Sequence, residues 1–141
     1  MDFADTFKVC ASGFAAQRAK MDVIVTNLAN VNTTRTPEGG PYKRKVVVFS
    51  AEPVNGSFDN VLDASLQAVR VDDIVEDEKS VKTAYDPHHP DADESGFVSR
   101  PNINSIIEMS DMIAAHRAYE ACVTVFDATK NMALKTLDIG K

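Results

Sequence analysis

The stretch DPHHPDADESG, residues 86–96, is the densest set of potential metal donors in this 141-residue chain. Asp91, Asp93, Ser95 and Gly96 fall at the first, third, fifth and sixth positions of a calcium-loop pattern, in which oxygen ligands wrap a hard cation. The pattern then fails: its twelfth position is Asn102 where a bidentate glutamate belongs, and Arg100 and Pro101 intervene. His88 and His89 are adjacent, so their imidazoles do not converge on one ion. The segment reads as a proline-bounded polar loop in which Asp and Gly supply turn chemistry. No metal or other cofactor is assigned to it. The alternative it leaves open is a soluble binding or adaptor module with a metal- or pH-responsive His/Asp loop.

Nucleophilic chemistry fares no better. Cys10 and Cys122 are far apart in the chain and in no CxxC spacing. His116 stands six residues before Cys122, which puts the two on different faces of a helix. No G-x-S-x-G turn, glycine-rich phosphate loop or carboxylate pair in an apolar setting occurs. The expectation is a chain with no catalytic residue and no small-molecule substrate, not an enzyme. The cysteines read as small buried apolar residues, with a disulfide between them as the alternative.

The elements around these residues are more informative than the residues themselves. Phe3, Phe7, Cys10, Phe14, Met21, Ile24, Leu28 and Val31 recur at alternating spacings of four and three, with Gln17 in the one gap. That is a narrow seam of the coiled-coil kind, and it predicts a helix over residues 3–29. Met109, Met112, His116, Tyr119, Val123, Phe126, Lys130, Ala133 and Leu137 repeat the pattern, widened by Ile106 and Ile113. A second helix over 105–138 follows, capped by Asn104 or Ser105 and stopped at Gly140. At 1.5 Å per residue these helices are about 40 and 50 Å long, too long for the segment between them to cover. The seams must pair with each other or with other chains. Paired antiparallel, they bring Cys10 and Cys122 to within about one turn of the same level.

Between the helices the period changes to two. Strands are expected at 42–49 (YKRKVVVF), 66–71 (LQAVRV) and 80–85 (SVKTAY), with Gly96, Phe97 and Val98 closing a small sheet. The fold class is therefore α+β: two long terminal helices, 1–33 and 105–141, forming an antiparallel coiled-coil-like arm, and a small β-rich domain, 34–104, inserted between them. The break after the first helix, NLANVNTTRTPEGGP, ends it with Asn27, Asn30 and Asn32, a residue type that tolerates left-handed or turn backbone and bonds its own main chain. Pro37, Gly39, Gly40 and Pro41 then set a turn.

The net charge of −6 is unevenly placed. Residues 59–94 carry −8 and the remainder +2, so the acidic middle would repel phosphates and no nucleic-acid partner is expected. No run approaches the roughly 20 apolar residues of a membrane span. The first 20 residues scatter Asp2, Asp5, Lys8, Arg18 and Lys20, unlike a cleaved secretory signal.

The phrase NLANVNT closing a heptad helix, GGPYKRKVVVF opening a strand, YDPHHPDADESGFVSRPNIN, and EMSDMIAAHRAYEA with KTL in the last helix together resemble the bacterial flagellar axial proteins, and among them the basal-body rod family of the proximal rod. Residues 51–79 carry none of this likeness. The resemblance implies a structural subunit that polymerises through its terminal helices into part of the torque-transmitting shaft. Implied partners are copies of itself, other rod proteins and the flagellar type III export apparatus, with a place in the basal body, within the periplasm, reached without a cleaved signal. The interface residues it implies are Phe3, Phe7, Phe14, Met21, Ile24 and Leu28 on the first helix and Met109, Met112, His116, Tyr119, Val123, Phe126 and Leu137 on the last. The amides of Asn27, Asn30 and Asn32 would either cross-link to neighbouring subunits or serve as a helix stop alone.

Overall fold

In a computed structural model of the chain, residues 3–54, 66–77, 79 and 81–140 are described. Helix α1 spans Phe3–Ala29, strands β1 and β2 span Lys45–Pro53 and Gln67–Glu76, β3 and β4 span Val81–Tyr85 and Phe97–Pro101, and α2 spans Ser105–Ile139. This is the expected α+β arrangement, with both helix starts where the periodicity placed them.

The helices form because each long stretch is free of proline and offers an apolar stripe to bury. The Asn104 side chain caps α2 by accepting from the backbone N–H groups of Ile106 and Ile107, at 3.0 and 3.4 Å. At its far end Gly140 has φ −83°, so α2 finishes without a left-handed glycine. The end of α1 also departs from expectation. No non-glycine residue among those described has positive φ, so the asparagines do not turn the chain through left-handed backbone. Instead Asn30 bonds back into the helix, its Nδ2 donating to the Thr26 carbonyl at 2.9 Å and its Oδ1 accepting from Thr33 Oγ1 at 3.1 Å. The left-handed turns fall to Gly39 (φ 92°) and Gly40 (φ 78°), which carry the chain toward β1.

The helices run antiparallel. Phe7 packs on Phe126 with ring centroids 4.9 Å apart, Phe14 on Tyr119 at 5.1 Å, and Asn27 bonds Glu108, so ascending numbers on α1 meet descending numbers on α2. The aromatic pairs sit in edge or tilted geometry, worth about 0.5–1.5 kcal/mol each beyond the area they bury. In this register Phe3 lies level with about residue 131, and α2 continues roughly two turns further.

The β region is two separate antiparallel ribbons rather than one small sheet. β1 pairs with β2 from Lys45↔Glu76 to Pro53↔Gln67, with a bulge at Val48/Phe49 that leaves Asp72 extra; its carboxylate accepts from Ser50 Oγ at 2.8 Å. The ribbon is tied to α1 where Val69 N–H donates to Ser12 Oγ at 3.1 Å. β3 pairs with β4 from Val81↔Pro101 to Tyr85↔Phe97. The strand expected from Tyr42 begins three residues later, at Lys45, because Tyr42 and Arg44 turn inward for a purpose described below.

Candidate assembly surface

The inward face of α2 is not the one that hydrophobicity alone suggests. Met112, Tyr119 and Phe126 of the expected seam do lie half-buried against α1. Between them, however, the inward positions are Glu108, Ala115, Cys122 and Thr129, a seven-residue repeat of small or polar side chains. Glu108, Ala115 and Thr129 are 1%, 1% and 3% exposed. Small residues let the backbones approach: a Cβ built on Gly13 would sit 3.0 Å from the Cys122 Sγ. Thr129 satisfies its hydroxyl within the helix, donating to the Val125 carbonyl at 2.8 Å.

Met109, His116 and Val123 consequently face outward, with Ile106 and Ile113 beside them, whereas Leu137 is exposed because α2 continues past the start of α1. Ile106 is 79% exposed and Leu137 68%. His116 lies beside Glu120 on this outer face, Nε2 to Oε1 3.3 Å. On α1, Phe7, Phe14, Met21 and Leu28 are half-buried and Ile24 is buried, while Phe3 is 40% exposed. The expected interface list thus divides into residues that join the two helices of one chain and residues that present an apolar stripe outward.

The asparagines divide as well. Asn30 is the local stop already described, and Asn32 is exposed. Asn27 is 1% exposed and bonded throughout within its own chain, which leaves no amide for a neighbouring subunit. Its Oδ1 accepts from Lys45 N–H and its Nδ2 donates to the Lys45 carbonyl, both at 2.9 Å, so a single side chain pairs with the first strand residue as another strand would. Tyr42 Oη also donates to Oδ1 at 2.9 Å, and Nδ2 donates to Glu108 Oε2 at 3.2 Å. Arg44 completes the latch, its Nε 2.6 Å from Glu108 Oε1 and its Nη2 4.0 Å from Asp111. Burial first, and then the Glu76 and Glu108 carboxylates, push the Tyr42 phenol above its ordinary value. Tyr42, Arg44 and Glu108 were not singled out from sequence as a unit, since the partners lie 64 and 81 residues apart.

The loop that invited a metal uses its carboxylates on its own chain. Asp93 Oδ1 accepts from the backbone of Ser95 and Phe97, Asp86 pairs with Arg100 at 2.9 Å, and Asp91 accepts from Thr34 Oγ1 at 2.8 Å. Among the described residues no group of three His, Cys, Asp or Glu side chains is placed to hold an ion. Cys10 and Cys122 are both free thiols facing the interface between the helices; burial, and then Cys122, raise the Cys10 thiol. No described helix is long and apolar enough to cross a membrane.

Comparison with known proteins agrees with this architecture at both ends. Residues 7–35 match the family model for flagella basal body rod protein, and residues 94–139 match that for the flagellar basal body rod FlgEFG protein C-terminal region. The flagellar basal-body rod protein FlgC of Borreliella burgdorferi is 43% identical, over 99% of this chain and 98% of its own length. The chain belongs to the FlgC family of flagellar basal-body rod proteins. FlgC of Bacillus subtilis is 40% identical over 96% of this chain and 97% of its own, and FlgC of Escherichia coli O6:H1 is 35% identical over the full length of both. The FlgC likeness therefore includes residues 51–79, which no sequence motif covered.

Proposed function

We propose that this chain polymerises through its terminal helices as a subunit of the proximal rod, with the intramolecular α1–α2 seam acting as a stiff strut and the outward stripe of α2 packing on neighbours. The observation that carries this reading is the stripe itself. Ile106, Met109, Ile113 and Val123 are more than a third exposed along one side of the first half of α2, and exposed apolar patches of that kind mark protein–protein contact. Heterologous contacts that do not close into a ring build a helical tube, and knobs-into-holes packing along it resists torsion, as a drive shaft must. The arm, residues 1–33 and 105–141, does this packing, and the β-rich part, 34–104, faces outward.

The chain acts without catalysis, cofactor or small-molecule substrate. It is exported through the flagellar type III apparatus and takes its place in the periplasmic rod beside other rod proteins. The His/Asp adaptor reading has no support from the loop, whose Asp86, Asp91 and Asp93 are engaged with the chain's own donors.

Deleting the gene tests the reading: loss of swimming, with basal bodies lacking a rod beyond the inner-membrane ring, is expected, and normal flagella would refute it. Ile113→Asp with Val123→Asp should abolish rods while leaving thermal stability of the purified chain within about 0.5 kcal/mol, as for exposed sites. Rods built normally by that double variant would remove the stripe from the interface.

A further inference from the structure

The two rows of α2 that compete for the inward face share half their members. Met112, Tyr119 and Phe126 belong to both, and they are half-buried against α1, Phe126 on Phe7 and Tyr119 on Phe14. The other inward places are held by Glu108, Ala115 and Cys122. Each is followed directly by a member of the outer row, Met109, His116 or Val123. Neighbouring residues lie about 100° apart around a helix. Because the shared places stay in contact, exchanging one row for the other takes a turn of α2 about its own axis of only about 50°.

Burial of apolar side chains favours that exchange. It would cover Met109, now 56% exposed, and Val123, now 37% exposed, and return the Glu108 carboxylate to water. The observed phase is held against it at two places. Gly13 lets α2 approach until the Cys122 sulfur lies 3.0 Å from where a Cβ would stand, which favours the row of smaller side chains. Glu108 is the charged member of the inward row and 1% exposed; Arg44 Nε holds it at 2.6 Å and Asn27 Nδ2 at 3.2 Å. A carboxylate so buried is tolerated only while paired. Arg44 reaches it from just before β1 and keeps 28% of its own side chain in solvent, so the pair ties the phase of α2 to the β-rich part of the chain.

We propose that Arg44 and Glu108 are positioning residues that set the axial phase of α2, and so decide that Met109, His116 and Val123 are presented to neighbouring subunits. The consequence for assembly rests on the rod reading above; the phase itself does not. Without the guanidinium, α2 turns to bring the carboxylate out and draws the outer row in against α1. The chain stays folded but no longer offers its stripe.

The test is thiol labelling of the purified chain with N-ethylmaleimide, in a Cys10→Ala background. One probe is the native Cys122 on the inward row. The other is Met109→Cys on the outer row, with Cys122→Ala. With the latch intact, Met109→Cys should react faster than Cys122. Arg44→Met should reverse this order. Cys122 speeds up and Met109→Cys slows down by about tenfold or more, because removing one partner of a buried pair is costly enough to move such an equilibrium that far. Adding Glu108→Leu, which takes the charge away, should return both rates to their original values. With helicity retained, two rates that rise together or do not move would overturn the proposal, as would a double variant that keeps the reversed order. If Arg44→Met loses its helicity, Arg44→Gln, which removes the charge and keeps a donor, is judged by the same two rates. In cells lacking the native copy, Arg44→Met should build no rods and the double variant should build them; rods from the single variant would overturn the role in assembly. Intact flagella after gene deletion would remove the rod reading instead, and the labelling order would still stand.

Discussion

Replacing Asn27 by aspartate changes one NH2 for one oxygen and almost nothing in volume, which makes Asn27→Asp a stringent probe of the latch. The native amide donates twice, to the Lys45 carbonyl at 2.9 Å and to Glu108 Oε2 at 3.2 Å. Both bonds vanish. A neutral hydrogen bond is worth about 1 kcal/mol net and one to a charged group about 1.5–3. Two carboxylates then face each other where Asn27 and Glu108 are each 1% exposed, and Arg44 compensates only one of them. The total is about 3–5 kcal/mol, a large share of the roughly 5–15 kcal/mol that holds a domain together, and a fall in Tm on the order of 10 °C or more. The assay is thermal unfolding followed by circular dichroism at 222 nm, in trimethylamine N-oxide to keep the destabilised variant folded at the start.

The reasoning carries a pH signature. Desolvation and the adjacent carboxylate raise the folded-state pKa of the new carboxyl at position 27 above its unfolded value. The protonated form, which can again donate, is then favoured by folding, so the deficit grows as pH rises above about 4 and shrinks as pH falls toward it. Adding Glu108→Gln should recover part of the loss at pH 7, because the glutamine amide can donate to the new carboxylate. A deficit under about 1 kcal/mol, or a Glu108→Gln change that deepens it, would refute the latch as described.

Tyr42→Phe should cost about 1 kcal/mol at neutral pH. It should also flatten alkaline destabilisation: the raised Tyr42 phenol contributes stability that is present below its ordinary value of 10.0 and lost as pH climbs through the higher folded value, which a pH series of urea midpoints will read. Gly13→Ala should gain less than the roughly 1 kcal/mol that helix propensity offers, because the new methyl meets the Cys122 sulfur at 3.0 Å; made together with Cys122→Ala, the full gain should appear in the Tm. Gly96→Ala should lower the Tm measurably, since φ there is 80° and the added carbon would lie 3.0 Å from the Tyr85 ring.

Both helices were legible because a proline-free stretch with a repeating apolar stripe has few other ways to bury it. Which stripe of α2 faces inward was not. Met109, His116, Val123 and Leu137 form a more apolar ladder than Glu108, Ala115, Cys122 and Thr129, and a pattern of hydrophobicity ranks them first. What decides is close approach at Gly13 and Cys122, together with neutralisation of Glu108 by an arginine 64 residues earlier. Neither is a local property. Asn27 misled for a similar reason: its type fits a helix stop, but its partners are Lys45 and Glu108. In the loop at 86–96 the turn chemistry legible in sequence is that of Asp93, which accepts from Ser95 and Phe97, whereas the partners of Asp86 and Asp91, Arg100 and Thr34, lie 14 and 57 residues away and were not legible. The strand pattern placed all four β segments but not their partition into two ribbons, since strand pairing is set by contacts that periodicity does not encode.

The arm joins the first helix of the chain to the last, and this sets the order in which it can fold. α1 has its main partner, α2, on the far side of residues 30–104. At roughly 5–20 residues per second, a ribosome takes about 4–15 s to cross that interval before α2 begins to appear. A helix of this length with no face to bury against is marginal in water, so until the β1–β2 ribbon that packs on it has emerged, at Glu76, α1 has nothing to fold against. Any receptor that must recognise the chain before it folds is offered α1 by the topology itself, and closing so long a loop makes the arm the last part of the molecule to form.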